Sequence, residues 1–154
     1  FCPFVSNYMD VPNVPLYPFG YGLSYGEIEY SEVSLDKDVL TENVLESDGT
    51  AKELNKIIAS VTVFNKGNRA VKEAVQLYIR DIKGSVVRPL RELKGLKKVE
   101  IQPGEKKTVE FEITEEMLRF YDVDMNFVSE PGDFMVWIGH DSMTDNGAGF
   151  RMIK

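Results

Sequence analysis

Asp122 and Asp124, separated only by Val123, are the first side chains whose type and spacing could do chemistry. Two neighbouring carboxylates can hold a calcium ion, bind a sugar hydroxyl or divide acid and base roles in hydrolysis. The chain carries 25 acids among 154 residues, so close pairs also arise as solvated loop tips. His140, Asp141 and Ser142 supply the three residue types of nucleophilic hydrolysis. A triad needs members that converge in space and a base oriented by a third group, which immediate sequence neighbours rarely supply, so this segment is expected to be a loop. Cys2 would need a nearby base to act as a nucleophile, and Gly20-Tyr21-Gly22 is too short to cradle a phosphate. Neither GxGxxG nor GxxxxGK[ST] occurs. These residues therefore predict no catalytic, cofactor-binding or metal site.

Aromatic side chains offer another chemistry. Phe64, Tyr78 and Trp137 fall on the parity opposite to the regular apolar residues of their segments. An outward row of rings can stack on sugars, as in a carbohydrate-binding module, or dock against another protein domain, and the apolar area favours docking. A tryptophan in the core would invert that parity.

The elements that must position these residues are short and strand-like. Residues 27–35 place Ile28 and Tyr30 on one parity and Val33 and Leu35 on the other, which predicts a bulge near Ser31 and Glu32. Residues 36–56 are polar and acidic and read as a long loop with room for a short edge strand. Residues 57–65 alternate with Ile57, Ala59, Val61 and Val63 inward. Residues 65–68 should turn, since Asn and Gly tolerate positive φ. Residues 74–80 place Val75, Leu77 and Ile79 inward and Gln76, Tyr78 and Arg80 outward. Residues 86–101 predict two short strands around Gly95, and Gln102-Pro103-Gly104-Glu105 a tight turn. Residues 108–113 form the next strand, Thr114 should cap a single helical turn, and Glu130-Pro131-Gly132-Asp133 should turn into a last long strand over 134–138. About seven short strands without a long amphipathic helix predict an all-β fold, an immunoglobulin- or fibronectin type III-like antiparallel β-sandwich.

The first 25 residues differ. They hold four of the seven prolines, Gly20 and Gly22, and interleaved Tyr8, Tyr17, Phe19, Tyr21 and Tyr25. Proline resists helix and central strand, and the rings are too many for a solvated linker, so an extended N-terminal arm lying along a surface is expected. The predicted division is an arm and linker over 1–26 and a sandwich over 27–154.

Composition bounds the partners. Apolar residues make up 43% of the chain and aromatics 11%, enough for one core. Eighteen basic against 25 acidic residues leave a net charge of -7, which repels phosphate backbones and anionic lipid, so neither nucleic acid nor membrane is an expected partner. One cysteine and one histidine permit no disulfide within the chain and no ordinary zinc site. No apolar run approaches the roughly 20 residues that span a bilayer. A first residue Phe1 rather than Met suggests a piece of a longer polypeptide. Lack of a disulfide pair and of any N-x-[ST] acceptor fits a cytoplasmic bacterial enzyme better than a secreted one.

A family resemblance enters with the arm. YMDVPNVPLYPFGYGLSY, residues 8–25, resembles the segment that joins the catalytic domains of glycoside hydrolase family 3 enzymes to their C-terminal fibronectin type III-like domain. It continues through VTVFNKGNRAVKEAVQLYIRD (61–81), RPLRELKGLKKVEIQPGEKKTVEFEI (88–113) and EPGDFMVWIG (130–139). Departures from the family pattern include Asn65-Lys66-Gly67 where Asn-Thr-Gly is usual, Gly26 where Thr is common, and a longer 36–56 loop.

The resemblance implies a parent that is a retaining β-glucosidase or related β-glycosidase working with a nucleophile and an acid-base carboxylate. Neither carboxylate motif is among these residues, so no catalytic residue carries over, and the chain reads as a non-catalytic accessory domain that packs against the catalytic domains of its own polypeptide. The candidate interface comprises Leu16, Tyr17, Pro18, Phe19, Tyr21, Leu23 and Tyr25 of the arm with Tyr78 and Trp137. The alternative is a carbohydrate- or polymer-binding module that targets the parent to its substrate. Homo-oligomer contacts and weak saccharide binding stay open beside the domain contact.

Overall fold

The strict alternation of residues 57–65 becomes β4 (Lys56–Asn65), in which Ile57, Ala59, Val61 and Val63 are buried and the intervening side chains half-buried. This is a computed structural model that describes residues 14–41 and 55–154, so Cys2 and most of the acidic 36–56 loop lie outside the described residues.

Around β4 a first sheet assembles. On one edge it pairs antiparallel with β7 (Lys106–Thr114), on the other with β1 (Ile28–Tyr30) and β2 (Ser34–Leu35). Tyr30 lies opposite Val63 and Ser34 opposite Ser60, so one extra residue is spent between β1 and β2. That is the bulge the parity change predicts, and it lets Ile28, Tyr30, Val33 and Leu35 all pack on the core. Asn146 braces it, accepting from the Val33 amide at 3.1 Å and donating to the Ser31 carbonyl at 2.9 Å.

The second sheet runs β3 (Val39–Thr41), β11 (Gly147–Ile153), β10 (Gly132–Gly139), β5 (Val71–Asp81), β6 (Glu92–Ile101). Its pairs are antiparallel except β3 with β11, which run parallel. A small hairpin, β8 (Phe120–Tyr121) with β9 (Phe127–Val128), follows a 3-10 turn over Glu115–Leu118. The core lies between the two sheets, where Val61, Phe111 and Ile113 meet Leu77, Val136 and Phe150. Each such side chain contributes roughly 1.5–3 kcal/mol over its exposed state. The chain is thus an all-β sandwich of the expected class.

Several local expectations need correction. Residues 92–101 form one strand rather than two: Gly95 stays inside the ladder, where a β-carbon would come within 2.8 Å of the Phe111 ring, and a register shift at Leu77/Tyr78 absorbs the irregularity. The strand after 134–138 was not expected; in β11 only Phe150 and Met152 are fully buried, and Gly147 and Gly149 interrupt its pattern. Glu130 and Pro131 form no assigned turn and Gly132 already belongs to β10. Thr114 makes no side-chain cap. Residues 65–68 turn without positive φ; the buried Asn65 amide holds the connection, donating to the Arg69 and Ile101 carbonyls at 2.7 and 3.0 Å. The 102–105 turn is as expected, with Gly104 at φ 74 and the Glu105 amide bonded to the Gln102 carbonyl at 3.0 Å.

Candidate functional site: the arm across the second sheet

Gln76 and Tyr78 take the outer parity of β5, as the alternation predicts, yet both are buried. The arm covers them. Gln76 Nε2 donates to the Gly20 carbonyl at 2.9 Å and to the His140 carbonyl at 2.6 Å. Tyr78 Oη donates to Gln76 Oε1 at 2.6 Å and lies 3.4 Å from the Phe19 carbonyl, which also accepts from the Ser142 amide at 2.9 Å. Burial pushes the Tyr78 hydroxyl upward, and the Asp141 charge adds to it against the opposing pull of Arg91, so the hydroxyl stays a proton donor. Gly20 sits at φ 80, and a β-carbon there would lie 2.5 Å from Tyr78 Oη. Both the backbone conformation and the space require glycine.

A second clasp lies further along. Ser24 Oγ donates to Glu73 Oε2, and Tyr30 Oη donates to Glu73 Oε1 at 2.7 Å. Glu73 is buried on the inner parity of β5, so these hydroxyls supply the partners a buried carboxylate requires. Burial, the Glu73 hydrogen bond and the Glu73 charge all raise the Tyr30 hydroxyl, keeping it protonated. Gly26, where the resembled family commonly has threonine, is pressed on the Val71 side chain with no room for a β-carbon.

Fastened at Phe19–Gly20 and at Ser24, the arm turns its apolar side chains to solvent. Leu16 is 87% exposed and Tyr25 90%, and Tyr17, Phe19, Tyr21 and Leu23 are exposed as well, with Pro18 half-buried. The Tyr17 and Tyr21 rings stand 5.0 Å apart, closed by the Tyr21 amide bonding back to the Pro18 carbonyl. Beside Phe19 opens a cleft of about 580 Å³ lined by Leu90, Arg91, Trp137 and Met143.

Trp137 neighbours Tyr78 across the β10–β5 ladder, so these two predicted residues are brought together; Phe64 is on the first sheet and joins no row with them. Trp137 is half-buried. The Arg91 guanidinium lies 4.2 Å over its ring, and Gly147 is so close that a β-carbon would fall 2.5 Å from Cδ1. Arg91 is itself held by the Ser142 and Thr144 carbonyls, the first at 2.6 Å. The ring is thus the floor of the cleft and not an open stacking plate, which corrects the picture of an exposed aromatic row. Sequence reading missed Ser24, Glu73 and Arg91 and placed Gln76 in solvent. A glutamate on the inward parity of β5 was the one available signal.

Residues 73–142 match the family described as fibronectin type III-like domain. The chain carries a fibronectin type III-like domain. Over 97% of its length it is 40% identical to a periplasmic β-glucosidase of Salmonella typhimurium, of which it covers 18%. It is 39% identical over 86% of its length to a β-xylosidase of Formosa agariphila, covering 17% of that protein. Among solved structures, a β-glucosidase from Listeria innocua in complex with gluconolactone superposes with a TM-score of 0.84 at 37% identity, over 98% of this chain and 19% of that one. The chain therefore spans less than a fifth of the length of these relatives, and the resemblance to a domain of glycoside hydrolase family 3 enzymes holds.

Asp122 and Asp141 of this fibronectin type III-like domain are engaged locally. Asp122 Oδ1 accepts from the amides of Asp124 and Asn126 at 2.9 and 2.8 Å, and the Asn126 side-chain amide reaches Oδ2 at 3.2 Å. The Asn126 backbone bond holds the Asp122 carboxyl below its usual range. Asp122 thus shapes a loop. Asp141 is buried and accepts from the Met143 amide at 2.8 Å, with His140 Nε2 at 3.3 Å, while Ser142 spends its amide on the arm. The three neighbours build a connection around Phe19, as the loop expectation has it.

Proposed function

We propose that this domain is a non-catalytic accessory module of a glycoside hydrolase family 3 β-glucosidase-like enzyme, packing against and stabilising the catalytic domains of the same polypeptide. The observation that carries this reading is the arm: its backbone is bonded down to Gln76 and Ser142 while the side chains of Leu16, Tyr17, Phe19, Tyr21, Leu23 and Tyr25 stay exposed. Turning a row of large apolar side chains outward from a fixed backbone makes sense where another protein surface covers them. The Trp137 cleft adjoins that row through Phe19 and extends the contact. The division into an arm over 1–26 and a sandwich over 27–154 belongs to the same proposal, with the arm serving as linker and contact together. Saccharide targeting loses its main support with Arg91 lying on the Trp137 ring.

The test is hydrolysis of a chromogenic β-glucoside by the chain alone, by the catalytic portion of the parent alone, and by their mixture. Activity that appears or rises only in the mixture is expected. Turnover by the isolated chain would overturn the non-catalytic assignment, and a mixture no better than the catalytic portion would overturn the stabilising role.

A further inference from the structure

A second apolar feature stands on the β8–β9 hairpin, apart from the strands to which the described arm residues are bonded. Tyr121, Val123, Met125 and Phe127 are all exposed there, Met125 by 74%, and the Tyr121 and Phe127 rings meet at 5.1 Å. Four large apolar side chains within seven positions are dense for a loop that only needs to reverse the chain.

The hairpin is also held rigidly. Asp122 gathers the Asp124 and Asn126 amides, and the Asp122 amide bonds the Asn126 carbonyl at 3.0 Å, which fixes Met125 in the left-handed region at φ 63. A non-glycine residue there is strained, and the loop's own bonds must offset that strain. At the base, Phe120 is buried with Arg88 4.7 Å above its ring, and Arg88 donates to the Leu118 carbonyl at 3.2 Å. The neighbouring loop, whose Val87 is fully exposed, is tied in through the Ser85 amide on Glu130 Oε2 at 3.0 Å. Order of this kind lowers the entropy lost on docking.

We propose that this hairpin is a second docking point, seated in an apolar socket with a basic rim on the catalytic portion of the same polypeptide. The inference rests on the accessory-module reading and names a contact that reading does not include. Charge selects the occupant. Asp124 stands exposed at the tip and each copy of the chain has a net charge of -7, so pairing two copies through this tip brings like charges together, whereas a basic rim satisfies them. Length agrees: in the Listeria innocua enzyme the matched stretch is 19% of one chain, so there the domain shares its polypeptide with a much larger body.

Two methionines separate this inference from the reading beneath it. Met125 reports the hairpin, and Met143, 61% exposed, reports the Trp137 cleft. Site-resolved oxidation by hydrogen peroxide is compared between the isolated chain and the full parent polypeptide, since thioether oxidation follows exposure. Roughly fivefold or greater slowing at both methionines in the full polypeptide is the expected result. Slowing at Met143 alone would sink the hairpin contact and leave the accessory reading standing. Slowing at neither would sink both. If Met125 is already slow in the isolated chain and light scattering shows a dimer that Met125→Asp disperses, the occupant is a second copy and the proposal is overturned.

Discussion

The carbonyl of Gly20 accepts a hydrogen bond from the side-chain amide of Gln76 at 2.9 Å, across 56 residues of sequence. That bond joins a segment whose described residues belong to no strand to an interior strand of the second sheet. It also makes the buried outer parity of β5 intelligible, because Tyr78 completes the same network through Gln76 Oε1.

Replacing Gly20 by alanine should release the arm at this point. The substitution meets both a positive φ and the Tyr78 hydroxyl, and a loss of about 1–3 kcal/mol is expected in urea unfolding. The Tyr21 amide, bonded to Pro18 at 3.1 Å, should exchange faster with deuterium in the variant. Unchanged exchange there would show that Gly20 does not fasten the arm.

Tyr78→Phe keeps the ring and removes the hydroxyl, leaving Gln76 Oε1 without its buried donor. A cost of about 1–3 kcal/mol follows from an unsatisfied buried acceptor. The double variant Gln76→Leu, Tyr78→Phe should cost clearly less than the two single changes added, since both act on one network. Strict additivity in chemical denaturation would refute the coupling.

The inward faces of β4 and β7 are legible in the sequence because a half-buried strand writes its environment at a period of two, and Ile57 to Val63 obey it without exception. The bulge at Ser31 is legible for the same reason, as a change of parity. Burial of Tyr78 is not, because its cover comes from Phe19 and Gly20, and strand periodicity says nothing about a distant arm. Gly95 reads as a break when it is a point of close approach to Phe111, and β11 is hidden by its own glycines. Of the candidate site, the arm residues are legible from composition, but the side chains that fasten them are not, because Ser24 and Gln76 are individually ordinary and only Glu73, on the inward parity of β5, stands out.

Arg88 ties the loop after β5 to the body of the domain, pairing with Glu92 at 2.8 Å and Asp81 at 3.5 Å while little exposed. Arg88→Ala leaves a buried Asp81 carboxylate without that partner, and thermal and urea unfolding should register a loss of about 3–5 kcal/mol. A change below about 1 kcal/mol would mean the loop is held by its backbone alone.

Glu115 gives the stability a defined dependence on acid. Its carboxyl is held below the usual range by the Arg119 guanidinium at 2.8 Å, with burial opposing and Ser129 assisting. The unfolded chain therefore takes up a proton at higher pH than the folded one. The contribution is fully present above about pH 5 and fades as pH falls through the ordinary glutamate value near 4.3 and below it. Denaturant midpoints between about pH 5 and 3 should fall more steeply for the wild type than for Glu115→Gln. Parallel slopes would remove Glu115 from the account.

If the domain is the accessory module proposed above, the exposed face of its arm binds the catalytic portion of the parent. Calorimetric titration of this chain into that separately expressed portion tests it directly. Saturable binding at one site per molecule is expected, weakened at least roughly tenfold by Leu16→Ser with Phe19→Ser, each exposed and outside the core. Absence of binding, or binding that these two changes leave untouched, would contradict it.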